Sequence, residues 1–222
     1  MEQIDHYMKR YGLDEVLPSA VRPQLKLVRY ATGEAICTQG AKAEHLHFLV
    51  SGKIRVAHTS AAGKRLVLSF KYPLDLIGDI EYVRRTPFLN TVEAVTPVEM
   101  IVVRFDDLAR HAKDDVKWLH YLLAGITKKF EMKSQSMSFN LFYPVDVRLA
   151  SYLLSMTPEE TTLGSTVDEL TDIADLIGTS YRHVNRTLKR FVEQGLIERD
   201  RRSITIMDRD GLIDVAGESI YE

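Results

Sequence analysis

At 222 residues, 45% apolar and 27% charged, the chain has the make-up of a globular protein of one large domain or two small ones. No apolar run nears the ~20 residues that span a bilayer, "MEQIDHYMKRYG" lacks the apolar core of a signal peptide, and the single Cys37 supplies neither an intrachain disulfide nor a four-thiolate metal site. A reducing cytoplasm with no membrane partner is the expected setting, and a net charge of −2 leaves any nucleic-acid binding to a local basic patch.

From Leu25 to about Phe105 the sequence reads as short strands: "HLHFLV" (45–50), "KIRVAH" (53–58), "RLVLSF" (65–70) and "VEMIVV" (98–103), punctuated by glycines at 33, 40, 52, 63 and 78. That rhythm predicts an antiparallel sandwich or barrel. Asp106 and Asp107 are placed to cap a helix. From about Asp114 to Leu141 no proline interrupts, and Val116, Leu123, Phe130 and Met137 recur every seven residues. Leu119 and Ile126 fill the intermediate seam, with Lys133 and Asn140 at its next two positions. This predicts a two-stranded coiled-coil seam, polar at its C-terminal end; a single helix packed on its own domain is the alternative. Pro144 ends the helix. "VDVRLASYLLSM" (145–156) is a new amphipathic helix, "TPEETTLGST" (157–166) a loop, two helical segments follow, and "SITIM" (203–207) is a strand. The resulting division is a β domain with flanking helices over 1–112, a dimerisation helix over 113–143 and a further domain over 144–222. There is no internal repeat.

In "VDELTDIADLI" (167–177), Leu170, Ile173, Ala174 and Ile177 share one helical face. Gly178 permits a left-handed turn, and Ser180 is placed to cap the next helix. In "GTSYRHVNRTLKRF" (178–191), Val184, Leu188 and Phe191 form the inner face, with Tyr181, Arg182, Asn185, Arg186 and Lys189 on the other side. A bracing helix, a short turn and a second helix with donors at its N-terminal end make a helix-turn-helix. Arginine suits the guanine edge and asparagine the adenine edge. "GLIERDRRSITIM" (195–207) then reads as a wing, with Arg199, Arg201 and Arg202 suited to phosphates. Acids alone populate 157–180 and cations dominate 181–202, an oriented footprint for nucleic acid. A solvated basic helix is the bland alternative, and it leaves the ordered cap, turn and wing unexplained.

In this order the β-rich domain, the seam helix and the winged module resemble the Crp/Fnr family of bacterial transcription regulators, over roughly Leu13–Gly211. "YATGEAICTQGAKAEHLHFLVSGKIRV" (30–56) resembles the family's first jelly-roll strands, and "LTDIADLIGTSYRHVNRTLKRFVEQGLIE" (170–198) its reading head. The "SYRH" start of the second helix resembles the YeiL-like branch. The implied architecture is α+β: an N-terminal jelly roll of the cyclic-nucleotide-binding type, a long dimerisation helix and a C-terminal winged helix-turn-helix. The resemblance implies a homodimer on a near-palindromic duplex, allosteric control through the β domain, and contact with RNA polymerase. Tyr181, Arg182, Asn185 and Arg186 are the candidate base readers; Thr179, Ser180, Lys189, Arg201 and Arg202 are the candidates for phosphate. Arg186 matches the cyclic-AMP branch's later arginine, whereas Tyr181 and Arg182 replace its Arg-Glu. A cytosine-accepting carboxylate is thereby lost, so the operator should differ.

Ligand-binding members carry Gly-Glu and, about ten residues on, Arg-Ser. Here Gly78-Asp79 resembles the first pair, but Phe88-Leu89 stands in place of the second and offers a cyclic phosphate no cation. The expected effector, if there is one, is therefore not cyclic AMP. Arg84 and Arg85 are either solvated or serve an acidic ligand from another angle. Lys133 and Ser134 stand near the family's purine-contacting position. Cys37 alone does not make the redox branch's cluster; it reads as core packing or, alternatively, a thiol sensor. His45 and His47 share a strand face, the start of a metal site in a cupin-like enzyme or sensor, yet no partnering Glu follows. No phosphate loop or nucleophile elbow is found, and no paired carboxylates stand in a convincing catalytic setting. The expectation is a DNA-binding regulator, not an enzyme, with no cofactor.

Overall fold

A computed structural model of the chain describes residues 2–156, 162–164, 167–200 and 203–217, with backbone only at 162–164 and 167–169. The chain divides into two units, Met1–Phe130 and Glu131–Glu222. The first runs through α1 (Glu2–Arg10), α2 (Leu13–Val16), a 3-10 turn (Ser19–Gln24), β1 (Lys26–Tyr30), β2 (Ala35–Cys37), β3 (His45–Ser51), β4 (Ile54–Thr59), β5 (Arg65–Lys71), β6 (Asp75–Ile77), α3 (Asp79–Arg84), β7 (Thr91–Ala94), β8 (Val98–Arg104) and α4 (Phe105–His111). The long helix α5 (Val116–Phe142) passes from the first unit into the second. There follow α6 (Val145–Met156), β9 (Thr162–Gly164), α7 (Val167–Leu176), α8 (Tyr181–Glu193), β10 (Ile197–Arg199), β11 (Ser203–Ile206) and α9 (Arg209–Ala216).

The strands of the first unit form two four-stranded antiparallel sheets, ordered β1-β8-β3-β6 and β2-β7-β4-β5. Strands β3 and β8 bury apolar side chains on both faces, and the packing explains why. Leu49, Val98, Met100 and Val102 join Cys37, Ile54, Val92 and Ala94 in the core of the sandwich. Leu46, Phe48, Val50, Ile101 and Val103 turn the other way, onto Met8, Leu13, Leu108 and Trp118 from the helices. A strand covered on both sides needs a continuous apolar run, whereas a half-solvated one alternates.

Helix α5 starts where Asp115 Oδ1 accepts a bond from the Trp118 amide at 2.9 Å. One of its stripes is interior: Trp118 and Leu122 are buried, and a side-chain carbon at Gly125 would lie only 3.7 Å from Leu76. The seam residues lie on another face, where Val116, Leu119, Leu123, Phe130 and Met137 are 45–76% exposed as large apolar side chains with Leu141 and Ile126 is half-buried. Helix α4 corrects the expected cap. It opens after Arg104 without a side-chain cap, and Asp106 and Asp107 lie inside its first turn, where carboxylates still favour the helix dipole.

In the second unit, Leu149, Leu153, Ile173, Ile177, Val184, Leu188, Phe191, Ile197, Ile204 and Leu212 form one core. The sheet order is β10-β11-β9. The expected loop at 157–166 contains a strand: 162–164 pair with 203–205 of β11, because the open side of the hairpin offers unpaired backbone groups to a neighbouring segment. Helix α9 carries an Asp208 cap accepting from Gly211 N at 2.9 Å. Sequence reading gave that segment no helix.

Candidate functional site

Helix α8 begins at Ser180, whose extended backbone (φ −95°, ψ 149°) and side-chain oxygen, 3.3 Å from the His183 amide, make it an N-cap. The His183 amide thus donates to both the carbonyl and the side-chain oxygen of Ser180, closing the first turn at the cap. Gly178 has φ +66°, the left-handed geometry the turn demands. Two polar side chains missed by sequence reading hold this turn. Buried Arg148 of α6 donates to the carbonyls of Ile177 and Gly178, and Asn140 of α5 donates to Leu176 O at 3.3 Å. A cation and an amide on the last carbonyls of α7 complement its C-terminal dipole. The signal for Arg148 was present: it interrupts the apolar stripe Val145, Leu149, Tyr152 of its own helix. Asn140 corrects the seam assignment, since its amide is engaged inside its own unit.

The inner face of α8 is as expected, with Val184, Leu188 and Phe191 at most 1% exposed and Thr187 buried beside them. Arg182, Arg186 and Lys189 are exposed together on the opposite side. Tyr181 is half-buried against the core, so its ring is partly committed to packing. Thr179 Oγ1 lies 3.4 Å from His183 Nδ1, which adds an exposed imidazole to the helix start that sequence reading passed over. Asn185 is not free: its Oδ1 accepts from Arg199 of β10 at 2.8 Å, and its Nδ2 donates to Tyr181 O at 3.3 Å. Bonds from Ser203 N and Oγ to Asp200, 2.7 and 2.8 Å, tie the β10–β11 hairpin. Arg201 and Arg202 lie outside the described residues.

Most candidate effector residues of the first unit are engaged by neighbours within that unit. Gly78 (φ +91°) caps α3, and a side chain there would strike His45 O, 2.7 Å from its Cβ. Asp79, with its side chain 5% exposed, meets Lys129 Nζ of α5 at 2.9 Å; that ammonium also contacts Asp75 Oδ1 at 3.1 Å and donates to Leu76 O at 2.5 Å. The carboxylate that the resemblance assigns to a ribose is therefore already paired within the chain. Phe88 packs on the sandwich core, its backbone bonded to Gly40 and Ala41, and the Leu89 amide donates to buried Glu81 at 3.0 Å. These groups do not fit a cyclic phosphate. Arg84 is exposed. Arg85 sits over the Tyr82 and Phe105 rings at 5.0 and 6.0 Å and borders a cleft of 470 Å³ with Lys42, Glu44, Thr86 and Asp106. Ser134 and Lys133 are exposed on α5. Lys129 carried a readable signal, a cation in register with the Trp118, Leu122 and Gly125 stripe.

His45 and His47 lie with ring centroids 6.3 Å apart. Burial, then the neighbouring His45, lowers His47 to about 4, and burial lowers His45 as well. Among the described residues no three His, Cys, Asp or Glu side chains are grouped to hold a metal, so the cupin-like reading finds no centre. Cys37 is 3% exposed; burial, then the charge of Glu81, raises its thiol to about 12. This is a packing cysteine, not an activated one. No helix among the described residues is long and apolar enough to cross a membrane.

Residues 27–115 match the cyclic nucleotide-binding domain family and residues 147–215 the Crp-like helix-turn-helix domain family. The chain is 26% identical to the CRP-like cAMP-activated global transcriptional regulator of Mycobacterium tuberculosis, covering 94% of this chain and 98% of that one. It is 24% identical to regulatory protein YeiL of Escherichia coli O157:H7, over 89% of each. In fold it is similar to a putative transcriptional regulator of the Crp/Fnr family from Eubacterium rectale, with TM-score 0.81 and 21% identity over 94% of this chain and 99% of that one. Matched by two domain families in this order and by regulators along nearly its full length, the chain belongs to the Crp/Fnr family of DNA-binding transcription regulators.

Proposed function

We propose that two copies of the chain, joined along the exposed seam of α5, bind a near-palindromic duplex with half-site centres about 34 Å apart. The observation that carries this reading is the Ser180-capped α8, which turns Arg182, Arg186 and Lys189 to solvent and buries its other face. Arg182 and Arg186 are the base readers we favour, with Tyr181 contributing from its exposed edge. Thr179, Ser180, Lys189, Arg201 and Arg202 are assigned to phosphates, which fix register without reading sequence. The homodimer rests on Val116, Leu119, Leu123, Phe130 and Met137, whose exposure is costly for an isolated chain. A cytoplasmic, non-enzymatic regulator that meets RNA polymerase at promoters accords with these relatives.

The Lys129–Asp79 pair and the apolar Phe88 support a regulator that is not switched by a cyclic nucleotide in the sandwich. Any small-molecule effector then differs in chemistry or in place from cyclic AMP. Selection of random duplexes on the full-length chain, with and without cyclic nucleotides and a metabolite panel, tests the reading. An inverted repeat enriched equally in all arms is expected; no enriched sequence in any arm overturns it. Arg186→Ala should lose about 1–3 kcal/mol on the selected site if its contact is bidentate, and equal loss on unrelated DNA would remove its base-reading role.

A further inference from the structure

Building on the DNA-binding reading, we propose that Arg199 and Asn185 form a phosphate clamp, in which Arg199 contacts the backbone and Asn185 is a positioning residue that does not read a base. A bidentate contact to adenine needs both ends of an asparagine amide. Here Oδ1 is held by Arg199 at 2.8 Å and Nδ2 by Tyr181 O at 3.3 Å. A guanidinium has five N–H donors in a fixed plane. One is spent on Asn185, and the remainder keep the orientation that bond imposes.

Placement decides between base and phosphate. At about 100° per residue, Val184, Thr187, Leu188 and Phe191 define the buried side of α8, and Arg182, Arg186 and Lys189 lie roughly opposite. Asn185 stands about 70° off that outward direction, on the flank from which β10 delivers Arg199. When the outward face of a helix enters a groove, its flank faces the groove wall, and the wall is phosphate. A guanidinium held there offers a paired-donor fork to phosphate oxygens. Ties between Asp200 and Ser203 at 2.7 and 2.8 Å brace the same hairpin, so Arg199 is fixed from the helix and from the wing.

The test is a cycle of Asn185→Ala, Arg199→Ala and the double variant in the full-length chain. Each is titrated over a salt series against the selected operator and a scrambled duplex of equal length. Arg199→Ala should weaken both duplexes about tenfold and reduce the salt slope by about 0.9. Asn185→Ala should act in the same direction on both duplexes and add nothing in the Arg199→Ala background. Arg199→Lys should keep the slope near wild type while losing the fork, which separates charge from a folding defect. Additive effects, or an Asn185→Ala variant that relaxes preference at one base pair with its slope unchanged, would overturn the clamp and leave the DNA reading intact. A wild-type chain that binds neither duplex would overturn both.

Discussion

Lys129→Met removes the ammonium that α5 places among Asp75, Leu76 O and Asp79 while keeping an unbranched stem against the sheet. Asp79 then remains as a carboxylate whose side chain is 5% exposed, without its 2.9 Å partner. Breaking a buried pair by deleting one member costs about 3–5 kcal/mol, because the other charge stays desolvated. Lys129 is 23% and Asp75 17% exposed, so water recovers part of this, and about 2–4 kcal/mol is the expected loss. With a urea slope of about 1–3 kcal/mol/M, the midpoint falls by roughly 1–2 M. The assay is built into the chain: Trp118 is the single tryptophan, fully buried in the first unit on the same helix, so its fluorescence reports that unit's unfolding. Asp79→Asn in the Lys129→Met background should recover more than about 1 kcal/mol, since an amide is far cheaper to bury than an unpaired charge. A Lys129→Met variant within about 0.5 kcal/mol of wild type, or no coupling in the cycle, would refute the view that this ion cluster ties α5 to β6 and α3.

The native Cys37 thiol, raised to about 12, should carry on the order of 10⁻⁴ thiolate at pH 8 and react with a disulfide reagent only when urea unfolds the first unit; rapid labelling of the native chain would contradict its buried placement. His47, lowered to about 4 from 6.5, binds its proton in the unfolded chain first, so its stabilising contribution is complete above pH 6.5 and is lost as pH falls from there toward 4. The loss amounts to at most about 3 kcal/mol, and His47→Gln should flatten the Trp118-monitored pH profile over that window, an unchanged profile counting against it. Phe130→Glu, at a side chain 75% exposed, should shift sedimentation from dimer to monomer with the urea midpoint nearly unchanged; a wild-type chain that sediments as a monomer would remove the seam from the account.

Local patterns in this sequence carried most of what local physics decides; the Asp106–Asp107 cap and helix α9 with its Asp208 cap are local features that were misplaced or missed, and the other exceptions are cases where a distant partner decides. The turn glycine, the Ser180 cap and the Val184–Leu188–Phe191 stripe follow from backbone geometry and period, and each is found where the sequence put it. The four quoted strands of the β domain are found within a residue or two of their expected ends, because apolar runs bounded by glycine leave few alternatives. Asn140 was read as a seam residue from its heptad position, yet its amide meets Leu176, 36 residues away. Asn185 was read as a base reader from its place on α8, yet Arg199 of the wing engages it. Strand β9 escaped notice because three residues in a polar stretch become a strand only when the edge of β11 is beside them. The same holds for Lys129. A cation on a helix reads as solvated until two aspartates and a carbonyl from β6 and α3 are brought around it. A cation three turns along the Trp118 stripe is therefore a stronger pointer than its charge alone, since a long polar side chain on a buried stripe folds stably only if something receives it. Here the receiver includes the carboxylate that the family resemblance reserves for a ligand: Oδ2 of Asp79 is committed to Lys129, so a sugar hydroxyl there would share a carboxylate already neutralised from within the chain.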